Sequence, residues 1–404
     1  MNNFYASVEC LHHPELRDKP VVVGGASELR HGIVLAKNQL AKSAGIKTGE
    51  VLWQARQKCP GLVCVPPNFS LYLRYSQLAR DIYNSYTDRV EPFGLDEAWM
   101  DVTGSPVGDG EAVAQQIRQR IKHELGITVS IGVSYNKVFA KLGSDMKKPD
   151  AVTVIDQDNY RQKVWPLPVG DLLYVGPATQ EKLYLRSILT IGDLANTDDE
   201  LLRSSIGKAG PLLGMFARGQ DTSPVAHYVG EEALIKSIGN STTTPRDLAC
   251  DDDAKIVIYV MAESVAARLR EHGMRCGTVS ISVRDNELLT YEKQLKLKCP
   301  TYITEEIAAA AFQLFRASYR WAKPIRSLGV RGADLVSATI PRQLDLFGDE
   351  EARLRKERLD KAVDDVRRRF GNASILRAAL MQDPALGGVD LKADLRSENF
   401  IHLK

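Results

Sequence analysis

The sequence lacks any apolar run long enough to cross a membrane, and it lacks the charged start plus apolar core of a secretory signal. Cysteine is sparse: six residues, at 10, 59, 64, 250, 276 and 299, with no CxxC pair and no dense framework. Thiols scattered in this way exclude a disulfide scaffold and are expected to be reduced in the cytoplasm. Excess charge is missing too, since 53 Lys+Arg against 51 Asp+Glu leave +2. Nucleic-acid binding therefore cannot rest on bulk charge and needs local basic patches. Without a secretory signal, the glycosylation-like triplet Asn372-Ala373-Ser374 reads as chance. What is present is ordinary for a soluble globular protein, with 44% hydrophobic and 26% charged residues. A chain of 404 residues is more than one core normally covers, so roughly two to four domains are expected.

Periodicity divides the first 155 residues into short strands and helices. Phe4, Val8 and Leu11 share a helical face that Pro14 ends. Pro20-Val-Val-Val-Gly-Gly and Ile33–Ala36 read as strands, and Lys37–Ala44 as a short helix closed by Gly45. A long helix is predicted from Leu71 to about Tyr86, another from about Glu111 to Leu125, then a strand over Thr128–Val133, a cationic helix over Asn136–Leu142 and a strand over Val152–Ile155. This order predicts a compact α+β domain with a mainly antiparallel sheet.

Between the two long helices lies Phe93-Gly94-Leu95-Asp96-Glu97-Ala98-Trp99-Met100. Adjacent side chains of a strand point to opposite faces, so Asp96 and Glu97 converge only if the backbone turns, as at a hairpin tip after Gly94. Paired carboxylates at such a tip suit a hard cation that also bridges phosphates. They suit an exposed acidic turn as well, and these residues alone leave both open.

From Pro166 the pattern becomes helical. Leu173-Tyr174-Val175-Gly176-Pro177 has the apolar-x-Gly turn of a helix-hairpin-helix, which aims backbone N–H groups at a nucleic-acid phosphate. Residues 222–234 read as a linker. Residues 235–340 return to α+β: a polar lead-in (Lys236 to Arg246), an Ala-rich helix (Ala254 to Arg270), strands at Thr278–Val283 and Tyr291–Leu297, a helix (Glu305 to Tyr319) and a strand near Ile325–Val330. Arg284, Lys293, Lys296, Lys298, Arg326 and Arg331 on one sheet face would track a phosphate backbone, or simply form a solvated face. Beyond them lies Gln343-Leu344-Asp345-Leu346-Phe347-Gly348, and then a helix with Leu359, Val363, Val366 and Phe370 on one face, read as a packing or partner surface.

Three segments, in order and at suitable spacing, resemble one family: Phe4-Tyr5-Ala6-Ser7-Val8-Glu9, Gly94-Leu95-Asp96-Glu97-Ala98, and Ser130-Ile131-Gly132-Val133-Ser134-Tyr135-Asn136-Lys137 through Lys148-Pro149. They resemble the Y-family translesion DNA polymerases, in particular the bacterial DNA polymerase IV group and its UmuC-like relatives, over about residues 1–347. The resemblance implies a multidomain α+β right hand, with a palm at 1–3 and 68–155, small fingers at 4–67, a helix-hairpin-helix thumb at 156–222, a linker at 223–234, an α/β little finger at 235–342, and a helical extension at 349–404. It implies error-prone, template-directed synthesis on primer-template DNA with dNTP substrates and two Mg²⁺ ions. Asp96 and Glu97 would hold the metal that activates the primer 3′-hydroxyl, Asp96 sharing the nucleotide-bound ion and the Met1 carbonyl serving as a backbone ligand. Tyr5 resembles the steric gate beside Phe4, and Lys148 the lysine that meets the triphosphate. Lys42 stands where many members carry Arg, Gln39 where DNA polymerase IV often has Tyr, and Ala36 replaces a common hydroxyl residue; these changes lean toward UmuC-like sequences. Gly176, Lys236, Arg326 and Arg331 would contact DNA. Gln343, Leu344, Leu346 and Phe347 resemble the peptide at 343–348 that docks on the bacterial sliding clamp. No membrane partner is implied, and the protein would sit on the nucleoid.

One departure stands out. The family carries an Asp, ending the first palm strand, immediately before the residue aligned with Met1, and this chain begins after it. In its place is an α-amino group, whose ordinary pKa is about 7.7–8.0. Asn2 and Asn3 are neutral, and Glu9, a turn or more away, is expected to be structural. The resemblance thus implies a late start or a truncation, with the chain as written unstable and nearly inactive until an upstream segment ending in Asp restores it. Two other readings remain: a non-catalytic remnant that binds DNA and the clamp, and a nucleotidyl cyclase on a related palm. The cyclase leaves the helix-hairpin-helix and the clamp-like peptide unexplained.

Overall fold

Side-chain caps start the helices that frame the carboxylate hairpin. Asn68 accepts from Leu71 N, Asp109 from Ala112 N and Asn136 from Phe139 N, each satisfying a donor that a helix start leaves unpaired. Gly126, at φ 69°, ends the middle helix in the left-handed region that favours glycine. The computed structural model describes residues 1–25, 32–226, 235–341 and 350–388. They fall into two units, one of Met1–Gly25 with Ile33–Glu232 and one built on Ala233–Phe400.

The first unit runs α1 (Phe4–His12), β1 (Val21–Gly24), β2 (Val34–Lys37), α2 (Gln39–Ser43), α3 (Leu52–Lys58), β3 (Val63–Val65), α4 (Phe69–Asn84), β4 (Val90–Pro92), β5 (Ala98–Met100), α5 (Gly110–Leu125), β6 (Ile131–Ser134), α6 (Lys137–Met146) and β7 (Val152–Ile155). Five short helices follow: α7 (Tyr160–Lys163), α8 (Pro177–Tyr184), α9 (Ile191–Ala195), α10 (Asp199–Ile206) and α11 (Ala209–Ala217). Strands β2-β1-β3 form a small mixed sheet over Val22, Val34, Ala41, Ile46, Leu52 and Ala55. A larger core joins α1, α4 and α5 through Phe4, Val8, Tyr72, Ala79, Ile117 and Ile121. A third core links α6 and β7 to the short helices through Phe139, Leu142, Ile155, Leu183, Leu202 and Phe216.

The single, mainly antiparallel sheet expected here is not what forms. Strands β4 and β5 pair antiparallel, β6 and β7 pair parallel, and the two pairs stay separate. A cavity lies along them, lined among others by Met100, Val102, Val113, Ile117, Ile131 and Val133.

The second unit contains β8 (Ser237–Leu248), α12 (Asp251–Glu271), β9 (Met274–Asp285), β10 (Thr290–Thr301), α13 (Thr304–Ser318), β11 (Ile325–Ser337), α14 (Glu350–Phe370) and α15 (Pro384–Gly387). The sheet order is β10-β9-β11-β8, and α12 and α13 share its core with Val279, Ile281, Val283, Leu328 and Val330. The polar lead-in of the sequence reading is strand β8. Its polar residues and Pro245 are tolerated because it is an edge strand, where one side of the backbone needs no ladder partner.

Register also corrects the basic face. Arg331 pairs with Ser280 and Lys296 with Thr278, on the parity of Arg284 and away from the core; Lys293 pairs with core residue Ile281 and so lies on the other face. The stripe of α14 read as a packing or partner surface is not packed within this unit at Leu359 and Phe370, which are 59% and 74% exposed. The helix docks by charge: Arg353 to Glu306, Asp360 and Asp364 to Arg270, and Arg367 to Glu263. Among the described residues no helix is long and apolar enough to cross a membrane.

Candidate active site

The turn between β4 and β5 is closed by Phe93 N–H donating to the Glu97 carbonyl at 2.8 Å, with Gly94 at φ 110°. Helix α4 grips it from behind. Ser76 Oγ donates to the Leu95 carbonyl at 2.5 Å, and Arg80 Nη2 to the Gly94 carbonyl at 3.1 Å. Asp96 and Glu97 thereby face one cavity together with Met1, Lys141, Ser144 and Lys148. Asp101, further along, is bound to Arg89 and the Thr103 N–H, an ordinary turn role.

Helix α6 and the extended residues just beyond it supply the cations. Lys141 Nζ bridges Glu97 at 2.8 Å and Asp145 at 3.0 Å, and Lys148 Nζ reaches Asp145 at 2.6 Å. Burial works against the Lys141 charge, yet the contacts with Glu97 and Asp145 push its pKa up. Burial would raise the Asp145 pKa, but the two lysines hold it below the usual carboxylate range. The helix sits this close because Gly132 and Gly143 face each other; a Cβ on Gly132 would lie 1.9 Å from the Ala140 carbonyl oxygen. Lys141 and Asp145 were not singled out from sequence, although their four-residue spacing carries the signal of one helix face.

Met1 and Asn2 cross from the hairpin toward the β6 side. The Met1 amine donates to the Asp96 carbonyl at 2.6 Å, and Asn2 N–H to the Thr128 carbonyl at 2.8 Å. Burial depresses the pKa of that amine against the pull of Asp96 and Glu97. The Asn2 amide is occupied, donating to Ser130 Oγ at 3.1 Å and accepting from Asp150 N–H at 3.0 Å.

Tyr5 lies near Asp96 with a half-buried ring; burial and the Asp96 charge raise its pKa. Phe4 is buried beneath it. Gln39 and Lys42 are exposed on α2 and do not line the carboxylate cavity. Gly176 is the residue at the N-terminus of α8, preceded by a 3₁₀ turn, Val169–Asp171, rather than a full helix. In the second unit Lys236 is exposed just ahead of β8, Arg326 is partly buried, and Arg331 lies 3.7 Å from Glu292. Gln343, Leu344, Leu346 and Phe347 lie outside the described residues.

Two carboxylates fit one Mg²⁺, which is commonly bound by one or two carboxylates and completes its shell with phosphate oxygens and water. Among the described residues no group of three or more His, Cys, Asp or Glu side chains gathers as a metal site. The pair of ions expected from sequence therefore needs a further carboxylate.

Residues 1–145 match the impB/mucB/samB family, and residues 235–346 match its C-terminal domain. DNA polymerase IV of Acetivibrio thermocellus is 56% identical over 391 residues, covering 96% of this chain and 98% of the relative. DNA polymerase IV of Pelotomaculum thermopropionicum is 39% identical, covering 94% and 93%, and DNA polymerase IV 2 of Bacillus subtilis is 37% identical, covering 94% and 92%. A solved Y-family DNA polymerase chimera, Dbh-Dpo4(243-245)-Dbh, shares the fold at a TM-score of 0.71 and 24% identity, covering 83% of this chain and 97% of that one. The carboxylate hairpin, the lysines of α6 and the two-unit architecture thus occur in a chain that belongs to the impB/mucB/samB family, the bacterial DNA polymerase IV group of Y-family polymerases.

Proposed function

We propose that this chain is a DNA-directed DNA polymerase that copies across lesions, with Asp96 and Glu97 at the reacting end of the primer and Lys148 on the triphosphate. The convergence of these three residues on one cavity carries the reading. Bound Mg²⁺ supplies charge neutralisation on the triphosphate and a more acidic primer 3′-hydroxyl. The chain's own residues set the geometry: Ser76 and Arg80 fix the hairpin tip, and Lys141 neutralises Glu97 where a metal ion would otherwise sit. Lys148 contributes a point charge, and Lys42 and Gln39 would meet phosphate oxygens without the paired donors an Arg fork provides.

A second ion, roughly 3.5–4 Å from the first, belongs to a site with another carboxylate. The cavity along β5 and β6, with Met1 and Asn2 bonded to either side of it, is where such a carboxylate would stand beside Asp96 and Glu97. Tyr5 acts as the sugar gate. Gly176, Lys236, Arg326 and Arg331 contact DNA, and the polar outer face carrying Arg284, Lys296 and Arg331 supports this. Gln343, Leu344, Leu346 and Phe347 bind the sliding clamp.

Primer extension tests the catalytic assignment: Asp96→Ala is expected to cost about a thousandfold or more, the scale of losing several kcal/mol of charge stabilisation. Unchanged extension refutes it. Leu346→Ala with Phe347→Ala should abolish clamp pull-down and spare distributive synthesis; retained pull-down rejects the clamp role.

A further inference from the structure

Away from the hairpin tip, a stack of rings forms around Tyr5. Its ring lies on Tyr72, with centroids 4.3 Å apart and planes 11° from parallel. Phe69 meets both rings edge-on, at 6.0 Å from Tyr5 and 5.9 Å from Tyr72. Tyr72 is fully buried, and its hydroxyl donates to Glu9, itself only 4% exposed. A buried hydroxyl and a buried carboxyl are each costly without a partner, so each fixes the other.

Glu9 stands four residues after Tyr5 on α1, on the same helix face. The Tyr5 ring, the Tyr72 ring, the Glu9 carboxyl and the α1 backbone therefore form a closed frame. Tyr5 cannot tilt away from Tyr72 without leaving the stack, and Tyr72 cannot follow without breaking its bond to Glu9. The same face of α4 continues at Ser76 and Arg80, which hold the Leu95 and Gly94 carbonyls. One helix face, at four-residue intervals, thus sets both the ring and the hairpin tip that carries Asp96.

We propose that Tyr72, locked by Glu9, is a positioning residue for sugar selection: it fixes the Tyr5 ring relative to Asp96, so that a ribose 2′-hydroxyl meets the ring instead of open space. The proposal rests on Tyr5 being the gate. Contact distance governs it, because repulsion and dispersion change steeply over a fraction of an ångström. Ordinary core packing by the same rings would support stability alone and leave the sugar preference untouched.

The test is equilibrium binding of a dNTP and the matching ribonucleotide to the full chain on a primer-template with a dideoxy end, in Mg²⁺, which requires no turnover. Tyr72→Leu removes the stack and is expected to shrink the deoxy-to-ribo preference about tenfold, with dNTP affinity kept within about threefold. Tyr72→Phe and Glu9→Gln keep the stack but weaken the lock, and should each shrink the preference about threefold. A change that merely loosens the fold lowers both affinities together and leaves their ratio. An unchanged ratio in Tyr72→Leu, alongside a collapsed one in Tyr5→Ala, overturns the brace and leaves the gate standing. An unchanged ratio in Tyr5→Ala overturns the gate and the brace with it. Should Tyr72→Leu not fold, Tyr72→Phe and Glu9→Gln decide, and wild-type ratios in both overturn the proposal.

Discussion

Among the described residues the Glu97 carboxylate is paired with a side-chain cation, Lys141, and the Asp96 carboxylate with none. Lys141 sits on the Glu97 carboxylate at 2.8 Å, so a metal ion arriving there competes with an ammonium that is only 18% exposed. Lys141→Met is accordingly predicted to lower the Mg²⁺ concentration needed for half-maximal primer extension several-fold, by removing the competitor. A higher requirement in a magnesium titration would mean that Lys141 orients Glu97 more than it competes. At this scale the sequence was partly legible. Asp96 and Glu97 stood out as a local two-carboxylate pattern that was also open to an acidic turn, and Lys148 was named only through the family resemblance. The Glu9–Tyr72 bond spans 63 residues and the Glu97–Lys141 pair 44; neither leaves a trace in spacing, and both exist only once α1, α4 and α6 have packed.

Among the elements, α6 depends on two glycines that bring its backbone against β6. Gly132→Ala places a methyl carbon 1.9 Å from the Ala140 carbonyl oxygen, and backbone cannot yield as a flexible side chain can. The expected cost is about 2 kcal/mol or more, seen as a lower melting temperature together with slower extension, since α6 leads directly into Lys148. A wild-type melt would show that the two elements separate freely. Helix positions were read well from sequence because apolar spacing and caps are local. Strand β8 was missed because an edge strand need not alternate apolar and polar residues. The intramolecular contacts of α14 left no apolar signature for a related reason. Its partners are charged, with Arg270 and Asp360 at 8% and 6% exposure, whereas periodicity searches weigh apolar residues only.

For the whole molecule, the second unit is held together partly by ion pairs that acid undoes. Arg246 on β8 forms two 2.7 Å bonds to Asp253 on α12 and one of 2.8 Å to Asp383 at the start of α15. The Arg246 bond is the main reason both carboxyls titrate below their ordinary value. Groups with depressed folded pKa values add stability above the unfolded value, about 3.9 for Asp, and lose it as pH falls through the folded value. Arg246→Leu should therefore flatten the fall in thermal stability below about pH 4 and have a smaller relative cost there than at neutral pH. A parallel downward shift at every pH would contradict this.

The organisation into two units fits the chain length and the return to strands after residue 235, whereas the split between the β4–β5 and β6–β7 pairs leaves no signal in the periodicity of either. The most direct test of the whole account is primer extension with Mg²⁺ by the chain preceded by an apolar strand ending in Asp, compared with the same protein carrying Asp96→Ala. Template-directed extension is expected in the first and a loss of about a thousandfold or more in the second; equal extension by both would contradict the roles given to Asp96 and Glu97.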